Sequence, residues 1–307
     1  MAFRIKRKES AQEGVKRIIE EQIGKAESEL AARDHDLHES IHQARKRCKK
    51  IRGLYRLVRP EIPKAIYKRE NKRFRDAARE LSAVRDAEAM TEAYDLLMDR
   101  FGSEVERRKF GEIRRKLTLR RNHIAESEID IEFKVERFQH ILARARKRLD
   151  KWSLTRPDFK VLEKGFKKTY QRGRKAMATA LKKPTNENFH QWRKRVKYHR
   201  YHVRTLRSLW PEIISPLEQE VDRLGDLLGH DHDLAVLAEI LHEDRKKWNR
   251  SADLETFLGL IETRRQELKE EARSLGKRLF AGKPKRVVKR LSRYWDAWWD
   301  QDAPLVV

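Results

Sequence analysis

Five residues of the chain, His42, Arg45, Lys49, Arg52 and Arg56, stand at i, i+3, i+7, i+10 and i+14. His190, Arg193, Lys197, Arg200 and Arg204 repeat that spacing 148 positions later. On a helix each set forms one continuous stripe. Arginine offers a planar fork that matches phosphate oxygens, and lysine a mobile point charge. A histidine at the head of each stripe donates one N–H when neutral and two when protonated, and a nearby anion favours the protonated form. Lys46, Lys50 and Lys194 flank the stripes. A solvated helix face usually interleaves both signs of charge, and these faces are nearly single-signed. The pattern therefore predicts an anion-binding surface. The bland alternative is internal neutralisation by Glu218, Glu220 and Asp222, or by Asp231 and Asp233.

Beside each cationic stripe runs an apolar one, Ile41, Ala44, Cys48, Ile51 and Val58 in the first copy. Phe189, Trp192, Val196, Val203 and Leu206 form it in the second. The two kinds of stripe lie about 100° apart on a 3.6-residue helix. The cations thus flank the packed face, where a groove or channel between helices would be lined. Lys168, Tyr170, Arg172 and Arg174 sit in a basic segment just before the second copy and are read as additions to the site, with core packing the commoner fate of an aromatic such as Tyr170. Lys16, Arg17 and Lys25 form a thinner counterpart in the first half.

The elements that must position these residues read as helices. Charged residues make up 40% of the 307-residue chain and hydrophobic ones 38%, with only 12 glycines and 8 prolines to interrupt helical periodicity. Helices are expected near 10–33, 38–58, 62–82, 85–100, 103–126 and 134–152 in the first half. In the second half they are expected near 158–182, 187–209, 212–229, 232–249, 252–280 and 284–299. Arg156-Pro157-Asp158 marks the boundary between the halves, with Asp158 a candidate cap for the helix that follows. The repeat and the absence of any strand pattern predict an all-α protein of two tandem, pseudo-symmetric bundle-like halves, 1–153 and 157–307, with additional terminal helices. A second echo supports this: Leu81-x-x-x-Arg85-Asp86 returns as Leu228-x-x-x-His232-Asp233 at an offset of 147.

The net charge of +25 predicts a polyanionic partner. Residues 38–59 and 186–207 together contribute 13 of those charges, so the excess gathers at the repeated strings. The single cysteine, Cys48, excludes an internal disulfide and a multi-cysteine metal knot, and its place on the apolar stripe predicts a buried thiol. Met1 to Lys8 carries charge without an apolar core, and no apolar run is long enough to span a bilayer, so a cytoplasmic protein is expected.

At these residues the sequence resembles the CHAD family, the conserved histidine α-helical domain. The first string resembles that family's His-x-x-Arg-x-x-x-Arg-Arg-x-Arg helix, with Lys49 and Lys50 in place of the paired arginines. The second resembles its His-x-x-Arg-x-x-x-Lys-x-x-Arg-Tyr helix through His190, Arg193, Lys197, Arg200 and Tyr201. Leu81 to Glu88 and Leu224 to Asp233 resemble its Leu-x-x-x-Arg-Asp-x-Asp and Leu-Gly-x-x-x-Asp segments. Arg204 departs from the pattern, standing where an acidic residue is common, as do Glu88 in place of Asp and His232 in place of Asn. The resemblance implies two four-helix bundles related by a pseudo-twofold axis. It also implies non-catalytic binding of inorganic polyphosphate in a basic channel between them, and association with polyphosphate granules.

Other readings are weaker on the residues. Asp130-Ile131-Glu132-Phe133-Lys134 mimics the Glu-x-Glu-x-Lys signature of triphosphate-tunnel enzymes, whose chemistry needs a barrel of strands that the sequence does not supply. Gly229-His230-Asp231-His232-Asp233, with His35, His38 and His42, invites a metal-dependent phosphohydrolase. Ligand-type residues close in sequence are not a coordination sphere, and Asp231 or Asp233 reads more simply as the N-cap of a new helix. No cofactor, metal or catalytic constellation is expected. General nucleic-acid or polyanion binding is the competing function, since its electrostatics are similar. Against it, no nucleic-acid-binding motif occurs, and only Tyr198 and Tyr201 are placed for base stacking. Leu291, Trp295, Trp298 and Trp299 are read as a cap on the chain's own bundle, with docking to a partner or a bilayer surface as the alternative.

Overall fold

Helix formers with few breakers favour helix everywhere that an apolar stripe can be buried. The computed structural model describes residues 3–31, 37–81, 83–127, 131–154, 158–243 and 252–300. Among these are eleven α-helices and no strand. They are α1 (Ala11–Ala31), α2 (Leu37–Leu57), α3 (Lys64–Glu80), α4 (Ala83–Phe101), α5 (Gly111–Ser127) and α6 (Ile131–Arg146). After these come α7 (Lys160–Lys182), α8 (Asn186–Thr205), α9 (Pro211–Glu243), α10 (Ala252–Leu279) and α11 (Pro284–Trp299). The all-α fold expected from the sequence is the one observed.

Local signals account for several helix starts. Ser10 and Glu13 form a reciprocal capping box ahead of α1, the Glu13 amide donating to Ser10 Oγ at 3.2 Å and the Ser10 amide to Glu13 Oε2 at 2.8 Å. The Asp158 carboxylate accepts the Lys160 amide at 2.9 Å, and Thr185 Oγ1 accepts the Asn188 amide at 3.3 Å at the head of α8. Pro284 occupies the first turn of α11, where its missing N–H costs nothing.

Two helix expectations fail, the first at 103–126, where α5 begins only at Gly111 after a 3-10 turn at Arg107–Phe110. The helices expected at 212–229 and 232–249 are a single helix, α9, which runs unbroken through Gly229 and Asp231. Leu227, Leu228, Gly229, Asp231, Leu234 and Ala235 are all buried, and that packing outweighs the ~1 kcal/mol helical cost of a glycine. Neither Asp231 nor Asp233 is an N-cap. Asp231 instead accepts a hydrogen bond from Arg265 Nε at 3.0 Å, with Lys269 at 3.9 Å. Asp130, His35 and the Arg156-Pro157 boundary lie outside the described residues.

Packing centres on α2, which lies against α1, α3, α7 and α8. Its apolar stripe is buried as expected, with Ile41, Ala44, Cys48, Ile51 and Val58 at most 1% exposed. Burial pushes the Cys48 thiol up to about 12, which leaves it protonated and inert. Two glycines set the approach distances. A Cβ on Gly53 would sit 2.8 Å from Tyr201 Cδ2, so α2 and α8 meet there. A Cβ on Gly165 would lie 1.6 Å from the Leu57 carbonyl oxygen, where α7 crosses α2. The Gly53 carbonyl accepts a hydrogen bond from His202 Nε2 at 2.9 Å, which fastens the α2–α8 contact further.

The apolar core is continuous across the chain. Tyr94 of α4 stacks on Phe257 of α10 at 5.4 Å, and α4 packs on α9, so residues from both sides of the repeat share one interior. Leu291, Trp295 and Trp298 of α11 are buried, Trp295 against Phe159 at 5.8 Å, and α11 covers α7 as a cap. Among the described residues no helix is long and apolar enough to cross a membrane.

Candidate functional site

Helix α8 has two buried faces. Trp192 and Val196 meet Gly276 of α10 and Gly225 of α9, and Tyr201 and His202 meet Gly53 of α2. The stripe of His190, Arg193, Lys197, Arg200 and Arg204 lies between them. The same arrangement holds on α2, where Gly53 marks the α8-facing side. Partly shielded positions follow, and the site chemistry depends on what lies opposite each cation.

Opposite the α8 stripe runs an acidic stripe of α9. Glu218, Asp222 and Asp226 stand at i, i+4 and i+8, with Asp233 further along the same side. Arg204 lies 3.4 Å from Glu218, Arg200 2.5 Å from Asp222, and Arg193 3.8 Å from Asp233. Part of the internal pairing left open by the sequence is therefore present. The contacts of Arg193 and Arg204 are ion pairs rather than well-formed hydrogen bonds, and the buried Nε atoms of both have no hydrogen-bond partner. Burial pushes the Asp222 carboxyl up, against the pull of Arg200 and Arg204.

The α2 stripe meets different neighbours. The Arg45 guanidinium donates to the Leu81 carbonyl at 3.0 Å and lies 3.6 Å from Asp86. Arg52 and Arg56 both donate to the side-chain oxygen of Asn71 on α3, at 3.3 and 2.7 Å. Arg56 also donates to the Arg52 carbonyl and covers the ring of Tyr198 at 4.0 Å. Among the described residues no carboxylate lies within ion-pair distance of Arg52 or Arg56. His42 and Lys49 are half-buried along the same stripe, and Lys46 is exposed.

Protonation at neutral pH reflects this crowding. Burial, then the charges of Arg193 and Lys49, push the Lys197 ammonium down to about 7 against the opposing pull of Asp233 and Asp226. Burial, then Arg47 and Arg204, does the same to Lys50, also to about 7. His190 lies 4.2 Å from the ring of His232, and burial followed by nearby cations depresses them to about 4 and about 3. Both rings are neutral at pH 7 in the free protein. An entering anion would favour the charged form of Lys50 and Lys197, which lie close to neutrality.

A groove of about 300 Å³ opens beside the α8 stripe, lined by Arg193, Lys197, Asp226, Asp233, Glu92 of α4 and Arg264 of α10. A second, smaller cleft lies on the opposite flank of α8, where Arg56, Arg59, Lys168, Arg172 and Arg195 surround Tyr198. Arg59, then burial and Arg172, pushes the Lys168 ammonium down, and burial, then Arg195 and Arg59, does the same to the Arg172 guanidinium. Among the described residues no carboxylate pairs with Arg59, Lys168, Arg172 or Arg195. Arg59 and Arg195 escaped the stripe reading. Arg195 stands about 200° from Arg193 around the helix, and only the path of α7 makes it a partner of Arg172.

Two residues read as additions to the site are placed elsewhere. Tyr170 and Arg174 are four apart on α7 and lie on the side away from Lys168 and Arg172. Tyr170 is buried and its hydroxyl donates to the carbonyls of Leu279 and Gly282 at 3.2 and 3.1 Å, while Arg174 is exposed. Tyr201 is buried against Phe3 at 6.1 Å and at the Gly53 contact, so its ring serves the α2–α8 junction. Among the described residues no three metal-ligating side chains converge.

Comparisons with known proteins agree with this architecture. The chain is similar in structure to PptA from Streptomyces chartreusis, with a TM-score of 0.63 at 15% identity over 89% of this chain and 100% of that one. At that identity the likeness concerns the fold. No curated protein matches the chain. The model of the CHAD domain matches residues 17–242, a span that holds both histidine-headed stripes and the α9 carboxylates opposite the second. The chain therefore belongs to the CHAD domain family.

Proposed function

We propose that this protein binds inorganic polyphosphate, without processing it, in a basic channel between two pseudo-symmetric halves, 1–153 and 157–307. The polymer lies along His42, Arg45, Lys49, Arg52 and Arg56 on α2 and along His190, Arg193, Lys197, Arg200 and Arg204 on α8. Lys46, Lys50 and Lys194 border its path, and Lys168 and Arg172, with Arg59 and Arg195, extend the positive surface past Tyr198. Membership of the CHAD family supports the ligand class. The observation that carries the reading is the crowding of cations without carboxylate partners among the described residues, Arg52 and Arg56 sharing Asn71 and Arg56, Arg59, Lys168, Arg172 and Arg195 gathered around Tyr198. Clustering like charges this closely is costly without a counter-anion. The cellular consequence is recruitment to polyphosphate granules.

Aromatic stacking surfaces, which would favour single-stranded nucleic acid, are scarce here. Tyr198 is covered by Arg56 and Tyr201 is buried. A competition titration at matched salt tests the proposal. Long-chain polyphosphate should displace duplex DNA and single-stranded RNA, with binding that weakens steeply as salt rises. Equal affinity for all three would replace the reading with general polyanion binding. Release of orthophosphate or shortening of the chain in the presence of divalent metal would overturn the non-catalytic assignment.

A further inference from the structure

A cavity of about 590 Å³ lies away from both cationic stripes, between the start of α9, the α7–α8 pair and the α10–α11 turn. Its volume falls within the roughly 300–1,000 Å³ of small-molecule sites. Phe166, Val203, Leu206, Ile214, Val287 and Leu291 give it an apolar interior. His199 on its wall is neutral at pH 7, because burial holds it down to about 3. The Tyr170 hydroxyl is already engaged with two backbone carbonyls. The interior therefore presents no charge.

The mouth is different. Ile213 and Leu217, 48% and 38% exposed, leave apolar surface open to solvent at the edge. Arg278 and Arg290 stand at the same cavity, and no acidic residue is among its lining. Among the described residues neither arginine has a carboxylate within ion-pair distance. An uncharged slot with two uncompensated cations at its walls matches one ligand chemistry: an alkyl chain carrying a single anionic head. A polyphosphate chain is excluded, since burying its charges among these side chains has no compensating partner.

We propose that this cavity binds a single-chain anionic amphiphile, its alkyl tail among Phe166, Val203, Leu206, Ile214 and Leu291 and its carboxylate or phosphate head at Arg278 and Arg290. The site is independent of the polyphosphate reading.

Calorimetric titration of the full chain with sodium octanoate, decanoate and dodecanoate, each below its micelle concentration, tests it. One equivalent should bind, and each added methylene should tighten binding about fourfold until the cavity is filled. Decyltrimethylammonium should bind about tenfold more weakly than decanoate, as expected when two partly screened charge pairs are missing. The double variant Arg278→Ala/Arg290→Ala changes only exposed side chains, so it should fold normally and lose that preference. Dodecyl phosphate should behave like dodecanoate. Affinity independent of chain length, equal binding of the cationic amphiphile, or an unchanged preference in the double variant would overturn the proposal. Co-sedimentation with phosphatidylglycerol vesicles without uptake of free decanoate would also overturn it, in favour of a membrane-facing patch.

Discussion

The stripes on α2 and α8 carry the same residue types at the same spacing, yet their neighbours treat them differently. Against α8, the helix α9 sets Glu218, Asp222, Asp226 and Asp233. Positions 147 earlier hold Asn71, Arg75, Arg79 and Asp86, so only the last acidic position survives in the first copy. The side-chain pairs show the correspondence directly. Arg45–Asp86 at 3.6 Å matches Arg193–Asp233 at 3.8 Å, and Arg56–Asn71 at 2.7 Å matches Arg204–Glu218 at 3.4 Å. Two stripes of like residues thus differ in the helices opposite them. Glu218, Asp222 and Asp233 pair with arginines of the α8 stripe, whereas Arg52 and Arg56 on α2 share the neutral side chain of Asn71.

The largest effect should come from separating the two stripes. Gly165→Ala drives a Cβ into the Leu57 carbonyl, which belongs to backbone and cannot rotate away. Thermal unfolding should show a loss of about 3 kcal/mol or more, in the range of severe overpacking. Gly53→Ala meets a tyrosine ring that can shift, so it should cost less. If Gly165→Ala is as stable as the parent, α2 is not clamped by α7 and the comparison of the stripes loses its structural basis.

The next effect separates the stripes by affinity. Replacing Arg45, Lys49, Arg52 and Arg56 together by alanine should weaken polyphosphate binding at least about a hundredfold, or about 2.7 kcal/mol. It should also flatten the salt dependence by about 0.7 log units for each phosphate no longer neutralised. Replacing Arg193, Arg200 and Arg204 together with their partners Asp233, Asp222 and Glu218 by alanine, which leaves no carboxylate of these pairs unmatched, should cost about tenfold less. Circular dichroism should show that both variants keep their helicity. Equal losses would mean that α9 does not attenuate its stripe.

A finer test exchanges single residues between the copies. Asn71→Glu gives α2 the carboxylate that α8 already faces, and should weaken binding about three- to tenfold. Glu218→Asn does the reverse, and should strengthen binding by a similar factor. If both changes act in the same direction, the asymmetry has another cause.

Much of this was legible from residue order. The buried stripes beside the cations were set by 3.6-residue periodicity, and Cys48 and Trp192 are as inaccessible as their spacing requires. Periodicity describes one helix at a time, however. It leaves Tyr170 between a place in the basic segment with Lys168 and a packed ring, and the turn after α10 decides for the latter by taking up the Tyr170 hydroxyl. It passed over Arg195, whose role depends on where α7 runs. It broke α9 at Gly229-His230-Asp231, where the local signal for a stop is outweighed by burial and by the Arg265 contact to Asp231. The glycines at 53 and 165 carried no local signal either, since their need for a missing side chain lies on α8 and α2.

The smallest effect concerns pH, through Lys197 on the α8 stripe and Lys50 beside the α2 stripe. Lys50 and Lys197 are held down to about 7, against an ordinary lysine value of 10.5. Between those values the folded free protein holds these amines neutral, whereas the unfolded chain holds them protonated. Their contribution to stability is therefore unfavourable below about 7 and is relieved as pH rises towards 10.5. A bound polyanion reverses the preference, since it favours the charged amines. Binding should then take up protons near pH 8, and affinity should increase several-fold as pH falls from 8.5 to 6.5. His190 and His232, held down to about 4 and about 3, titrate below that window and should not contribute to it. Calorimetry in two buffers of different ionisation enthalpy counts the protons. Lys197→Arg and Lys50→Arg, which keep the charge at every accessible pH, should each remove part of the uptake, and the double variant nearly all of it. Uptake that persists in the double variant would place the titrating groups elsewhere and leave the crowding of the two stripes without consequence for binding.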